Sequence, residues 1–294
     1  MIAGFSPGWP RGSGLVLGDA IDVGAHVESG SVELAYLDPP FAVGTKFAAR
    51  TRLGQARAHG EPAYDDTWPS LDAYLAWLDA RLRVVRETLS PRHGSMWLHL
   101  DHRAVHDAKS LCDGIFGRES FIGEIIWLPG NGTKARKGPG ITHHTLLVYA
   151  RGDEPIWNAT DPMLREPYAK TSQSMHFKRK DAKGRRYRER TIAGRTYRYY
   201  ADNGRAIGSV WSDCPAMVAN TPLRKESTGY PTQKPLKLLE RIVRASSREG
   251  ALVMDPFCGS GTTLVAAKKH GRRFFGCDIG ALAIKTARKR LEEA

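Results

Sequence analysis

An open α/β sheet, doubly wound with helices on both faces, is the fold this sequence predicts, on three observations. Short apolar runs such as Val32 to Leu37 and Ala251 to Met254 read as strands buried on both faces. Amphipathic stretches of helical period lie between such runs and read as covering helices. The two runs named lead into the distinctive segments Asp38-Pro39-Pro40-Phe41 and Asp255-Pro256-Phe257-Cys258-Gly259-Ser260-Gly261-Thr262-Thr263. Strand carboxyl ends are where open α/β sheets keep their chemistry.

In chain order, Leu15 to Leu17 reads as a short strand ending at Gly18-Asp19, and Val32 to Leu37 as the next. From Phe41 to Asp66 the chain is polar and aperiodic, with Lys46, Arg50, Arg52 and Arg57, and is expected to be a long loop; such loops are uncommon unless functional. Pro69, Leu71, Tyr74, Leu75, Leu78, Leu82, Val85 and Leu89 describe an amphipathic helix with proline in its first turn. Ser95 to Leu100, Phe121 to Trp127 and Thr145 to Tyr149 read as strands, with His102 to Ile115 as a helix. Pro235 opens a helix with Leu236, Leu239, Ile242 and Val243 on its apolar face, and Thr262 to His270 forms another. Arg273 to Cys277 is a strand ending at Asp278, and Ala281 to Leu291 a terminal helix with Lys285, Arg288, Lys289 and Arg290 on its solvated side.

Between Arg151 and Glu226 apolar periodicity fades and charge rises. Lys178, Arg179, Lys180, Lys183, Arg185, Arg186, Arg188, Arg190, Arg195 and Arg198 are interleaved with Tyr187, Tyr197, Tyr199 and Tyr200, cations for phosphates beside rings that pack on sugars or bases. The chain thus divides into 1–150, a basic insert at 151–226, and 227–294. At 294 residues and 41% hydrophobic it can bury a substantial core. A net charge of +13 points to a polyanion, by default nucleic acid. An acidic membrane is the weaker reading, since there is no long apolar stretch, signal-like amino terminus or lipidation motif. Cys112, Cys214, Cys258 and Cys277 form neither a CxxC pair nor a disulfide framework, which suits a reducing cytoplasm. His99, His102, His106, His143 and His144 fall in no metal-binding pattern, so no metal is expected.

The two loops differ in chemistry. Closely spaced glycines let a backbone turn sharply and a ligand approach its amides, and the helix start at Thr262 favours an anionic group, so a nucleotide-like cofactor is implied. An ATPase-type phosphate loop is excluded, because Gly261 is followed by Thr262 and not by Lys. Asp278, about twenty residues on, is placed to accept hydrogen bonds from a ribose. Asp38-Pro39-Pro40-Phe41 loses two amide donors to its prolines, leaving an acceptor-rich corner beside an aromatic ring. Asp38 and the Pro39 carbonyl suit the two N–H groups of an exocyclic amine, and Phe41 suits the ring that bears it.

Together these segments resemble the amino-methyltransferases of DNA, which use S-adenosylmethionine to methylate adenine N6 or cytosine N4. The order, with Asp-Pro-Pro-Phe before the glycine loop, is similar to the beta-class permutation. Gly18-Asp19, Tyr230-Pro231-Thr232-Gln233-Lys234-Pro235 and Phe274 to Asp278 match family segments in family order. The resemblance implies a circularly permuted S-adenosylmethionine methyltransferase sheet with the basic insert as target-recognition region. It implies that Asp19 and Ala20 meet the cofactor's adenine, that Thr232 and Lys234 close over its methionine end, and that Asp255, Phe257, Gly259, Ser260, Gly261, Thr262 and Asp278 complete the cofactor site. Asp38, Pro39, Pro40 and Phe41 would be the catalytic corner. Lys46, Arg50 and Arg52, in a lid or strap, would join Lys178, Arg179, Lys180, Arg185, Arg186, Arg188 and Arg190 on duplex DNA. Homodimers are frequent in the class, and a restriction endonuclease is a cellular counterpart to look for.

A leading Asp in the four-residue motif favours adenine N6, with cytosine N4 as the alternative; Phe41 stands where Tyr is commoner. Cytosine C5 chemistry needs a thiolate after a proline, and neither Cys214 nor Cys258 is so placed. An RNA methyltransferase and a non-catalytic DNA-binding regulator are the readings from other classes.

Overall fold

The computed structural model describes residues 8–49, 60–130, 138–217 and 225–294. Arg50, Arg52 and Arg57 lie outside the described residues. The strands and helices, in chain order, are β1 Gly14–Leu17, β2 Val32–Leu37, β3 Thr45–Ala48, β4 Pro62–Asp66, α1 Leu71–Thr88, β5 Ser95–Leu100, α2 Val105–Phe116, β6 Phe121–Trp127, β7 His144–Ala150, β8 Arg165–Glu166, α3 Lys170–His176, β9 Arg179–Lys180, β10 Arg186–Ile192, β11 Arg195–Tyr200, β12 Arg205–Ala206, β13 Val210–Trp211, α4 Leu236–Ser246, β14 Leu252–Asp255, α5 Thr262–Lys269, β15 Arg273–Asp278 and α6 Ala281–Glu293.

The main sheet runs β1-β15-β14-β2-β5-β7-β6-β13. Strands β1, β15, β14, β2 and β5 are parallel, and β7 is antiparallel to both β5 and β6. The chain's last two strands lie between its first two, so the permuted order expected from the sequence is the observed one. Burial on both faces explains the unbroken apolar runs: every residue of β2 and of β5 is buried. Ala35, Leu37, Met96 and Leu98 pack with Tyr74, Leu78, Leu82 and Val85 of α1 and Ala108 and Cys112 of α2. The alternate side chains point the other way, where the Trp97 indole donates to Ser246 Oγ of α4 at 3.1 Å. No helix among the described residues is long and apolar enough to cross a membrane.

Two sequence expectations need correction. The loop expected after Phe41 contains a hairpin, with β3 antiparallel to β4 and Phe47 stacked on Tyr64 at 4.7 Å. A cross-strand aromatic pair stabilises strands too short and polar to show a period. The helix expected to begin with Pro69 starts at Leu71, capped by Ser70, whose hydroxyl accepts from the Ala73 amide at 3.1 Å. Pro235 likewise precedes α4 instead of lying in its first turn. The compact second unit spans Asn158–Gly208, while Arg151, which bonds the Glu87 and Leu89 carbonyls, and β13, which pairs with β6, belong to the first.

Within the second unit, β9, β10 and β11 form a small antiparallel sheet. The Ile192 to Arg195 turn has positive φ at Ala193 and Gly194 (48° and 78°), the turn form that matches strand twist in a tight hairpin.

Gly261 also has positive φ (76°), and a Cβ there would lie 2.7 Å from that of Ala287 in α6. Gly261→Ala is expected to cost about 1 to 3 kcal/mol of stability through strain and overpacking. Thermal or urea melts check this, and an unchanged midpoint would contradict it.

Candidate active site

Because β1, β15, β14 and β2 run in the same direction side by side, their carboxyl ends share one edge of the sheet, and an aspartate stands at each. Asp19 follows β1, Asp278 ends β15, Asp255 ends β14 and Asp38 follows β2. All four line a cavity of about 320 Å³, together with Pro39, Pro40, Phe41, Tyr64, Tyr230, Thr232, Lys234, Phe257, Gly259, Ser260 and Thr262. Ala20 lines it too, whereas Gly261 sits behind as the residue before α5.

Each carboxylate is held differently. Asp19 takes a two-pronged hydrogen bond from Arg81, Nε to Oδ1 at 2.8 Å and Nη2 to Oδ2 at 2.5 Å, and caps the following turn by accepting from the Ile21 amide. Burial opposes its charge, but these donors hold its pKa below the ordinary carboxylate value. Its side chain is thus already engaged, leaving the Asp19-Ala20 backbone to face a ligand. Asp278 accepts from the Gly259 and Gly280 amides, both at 2.8 Å, and ties the glycine loop to β15. Asp255 accepts from the Phe257 amide at 3.1 Å. Burial pushes Asp278 up to about 6 and Asp255 to about 7.

At the Asp38-Pro39-Pro40-Phe41 corner, Lys234 Nζ donates to Asp38 Oδ2, while Asp38 Oδ1 is buried with no hydrogen-bond partner among the described residues. The ammonium also lies 5.2 Å from the centre of the Phe41 ring. Phe41 meets the rings of His99 and His144, and Tyr36, His99 and His144 form a buried chain, with Tyr36 Oη 2.7 Å from His99 Nδ1 and His99 Nε2 2.9 Å from His144 Nδ1. Burial pushes the His99 pKa well down and that of His144 to about 3, so both rings are neutral at physiological pH.

Several positioning groups escaped the sequence reading. Asp66 is 1% exposed and accepts from the amides of Phe41, Ala42 and Val43 at 2.9 to 3.1 Å and from the Trp68 indole at 3.0 Å. It fixes the turn that follows Pro40, where Ala42 has a φ of 57°. Arg81 interrupts the apolar stripe of α1, a visible signal, and stacks over Trp77 at 4.2 Å. Arg290, expected on the solvated side of the last helix, instead donates to the Ser260 carbonyl at 2.8 Å and to Thr262 Oγ1 at 2.8 Å. Burial of its guanidinium beneath the loop lowers its pKa to about 10. Tyr230 lies where a Cβ on Gly259 would press, 3.1 Å away, which keeps that stretch of loop backbone bare.

The basic residues expected on DNA also make contacts within the chain. Lys46 pairs with Asp65 at 2.9 Å on the surface. Within the second unit, Arg179 pairs with Glu189, Arg185 with Asp202 at 2.8 Å, and Arg186 donates to the Phe177 carbonyl at 2.9 Å. Arg188 lies over Tyr168, Phe177 and Tyr199. Arg179, Arg185 and Arg186 stay exposed despite these contacts, as do Lys178, Lys180 and Arg190.

A family description, DNA methylase of the N6/N4 methyltransferase class, matches residues 32–289. The chain is 36% identical to the type II methyltransferase M2.DpnII of Streptococcus pneumoniae, over 95% of this chain and 89% of that protein. It is 31% identical to the type II methyltransferase M.EcaI of Enterobacter cloacae over 90% of this chain, and spans 65% of that protein's length. A DNA modification methylase from Thermus thermophilus, solved in complex with S-adenosyl-L-methionine, shares the fold with a TM-score of 0.54 at 22% identity, covering 95% of this chain and 93% of that one.

Asp66→Asn removes the charge that gathers four N–H donors and is expected to cost about 1 to 3 kcal/mol. Urea denaturation measures it, and a loss within error of zero would exclude the role assigned to Asp66.

Proposed function

The chain belongs to the N6/N4 family of DNA methylases, and we propose that it transfers a methyl group from S-adenosylmethionine to N6 of an adenine rotated out of duplex DNA. One observation carries this reading: a bare, buried carboxylate oxygen on Asp38 shares a cavity with the glycine loop and its acidic neighbours. S-adenosylmethionine supplies an electrophilic methyl group on a positively charged sulfur.

The cavity suits that cofactor in charge and shape. Asp19, Asp38, Asp255 and Asp278 face it with Lys234 as the cation among its lining residues, which favours a cationic ligand between apolar walls. Asp278 and Asp255 would hold the ribose side and the glycine loop would lie against the ligand backbone-first. The Asp19-Ala20 main chain and Phe257 would frame the adenine, with Thr232 over the methionine end.

An exocyclic amine delocalises its lone pair into the ring and is a poor nucleophile while planar. Acceptors aimed at its N–H groups favour the tetrahedral transition state over the planar ground state. Asp38 Oδ1 and the Pro39 carbonyl are those acceptors, and the proton leaves after the nitrogen becomes cationic. Rotating the base out of the stack costs a few kcal/mol. Stacking on Phe41 returns roughly 1 to 3 kcal/mol. The leading Asp of the motif supports adenine; a cytosine-N4 enzyme would use the same geometry on a smaller ring.

Lys178, Lys180 and Arg190 are the proposed phosphate contacts of the second unit. The relatives' type II names and the four buried free cysteines support a cytoplasmic modification enzyme with a restriction endonuclease as counterpart.

Incubation with S-adenosylmethionine and unmethylated duplex DNA, then mass spectrometry of the nucleosides, is expected to yield N6-methyladenine. N4-methylcytosine would reverse the base assignment, and products only on RNA would replace the substrate. Asp38→Ala should abolish transfer while keeping cofactor affinity, whereas Asp278→Ala should weaken cofactor binding; equal cofactor loss in both would refute this division of labour. Because ligand contact favours ionised Asp255 and Asp278, binding should release protons and tighten as pH rises through their values of about 6 and 7. Calorimetry at about pH 6.5 in buffers of different ionisation enthalpy tests this, and identical heats would count against it. DNA affinity should fall steeply with salt, with a shallower slope in Arg190→Ala.

A further inference from the structure

We propose that Lys234 is a positioning residue for methyl transfer, holding Asp38 by one carboxylate oxygen so that the other stays open to the target amine. This rests on the reading above that Asp38 receives the amine, and it gives Lys234 a role other than closing over the cofactor.

The contacts are specific. The Lys234 side chain is 8% exposed, its ammonium donates to Asp38 Oδ2, and it approaches the Thr232 carbonyl at 3.5 Å. Oδ1 of the same carboxylate is buried and has no partner among the described residues. An incoming amine therefore need not displace the lysine. The segment carrying Lys234 is pinned on both sides: the Thr232 hydroxyl, at a residue with φ of 57°, donates to the Pro231 carbonyl at 2.7 Å and lies 3.2 Å from Tyr64 Oη, while Pro235 leads directly into α4. The same ammonium sits near the Phe41 ring, so one cation orders both the acceptor and the stacking surface.

The lysine is needed because of what else surrounds Asp38. Tyr36 from β2, Tyr64 from β4, Tyr74 from α1, Tyr230 ahead of α4 and Asp255 from β14 lie within electrostatic reach of it, and none supplies positive charge. Burial favours the protonated carboxyl, and Lys234 opposes this. A protonated Asp38 would present a donor where the amine N–H needs an acceptor. Methyl transfer also moves positive charge from sulfur onto the amine nitrogen, which an ionised Asp38 stabilises and a neutral one does not.

The test uses the full chain, duplex DNA and saturating S-adenosylmethionine, with single-turnover rates followed against pH and cofactor affinity measured by calorimetry. Lys234→Met is expected to bind the cofactor within about threefold of wild type yet to transfer about a hundredfold more slowly at neutral pH. Loss of the lysine raises the Asp38 pKa further, so the acid limb of the rate profile should move to higher pH and alkaline conditions should recover part of the rate. Lys234→Arg, which keeps the charge, should keep the limb near its wild-type position. Should Lys234→Met not fold, Lys234→Gln, which keeps a donor without charge, must show the same displaced limb. An undisplaced limb in the uncharged variants, or a rate fully restored by more cofactor, overturns the proposal. Absence of methyl transfer by the wild-type chain would instead overturn the functional reading on which it rests.

Discussion

The parallel pairing of β2 with β14 is the constraint on which the rest of the site depends. Its register sets Ala35 beside Met254, so the chain emerging from β2 at Asp38 and the chain emerging from β14 at the glycine loop leave the sheet together. Strands β15 and β1 extend the same edge in the same direction and add Asp278 and Asp19. Antiparallel pairing at any of these positions would send one acidic end to the far side of the sheet. Beyond β5 the direction reverses at β7 and again at β6, which β13 joins in parallel, and none of these strands lines the cavity.

Crowding four carboxylates at one buried edge is electrostatically expensive, and the molecule meets the cost four ways. Arg81 takes both oxygens of Asp19 and keeps it charged. Backbone amides take Asp278, Lys234 takes one oxygen of Asp38, and Asp255 is left closest to neutral, near 7. Similar residues at equivalent strand ends are thereby held in different electrostatic environments, the division that the proposed function asks of them. Asp66 adds a fifth carboxylate whose role is purely architectural, since its amide contacts set the path of Phe41, Ala42 and Val43.

Much of this was legible in the chain. The apolar runs marked the strands β2, β5, β14 and β15 to within a residue or two, because burial on both faces leaves an unbroken local signature. The β3–β4 hairpin was not legible, since its stability comes from Phe47 meeting Tyr64 across strands that individually carry no period. Charge partners were not legible. Arg179, Arg185, Arg186 and Arg188 form a cationic run that also makes contacts within its own unit, and Arg290, expected on the solvated side, turns under the glycine loop. A side chain's partner depends on distance in space, and composition carries no information about that.

The sequence by itself determined the strands and the residue types at each strand end, because periodicity and turn chemistry act over a few neighbouring positions, while the permuted strand order was implied by the family resemblance. Only the tertiary structure decided which cation meets which carboxylate. Arg81 reaches Asp19 across 62 positions and Lys234 reaches Asp38 across 196. Those pairings favour the charged forms of Asp19 and Asp38 and leave Asp38 Oδ1 open.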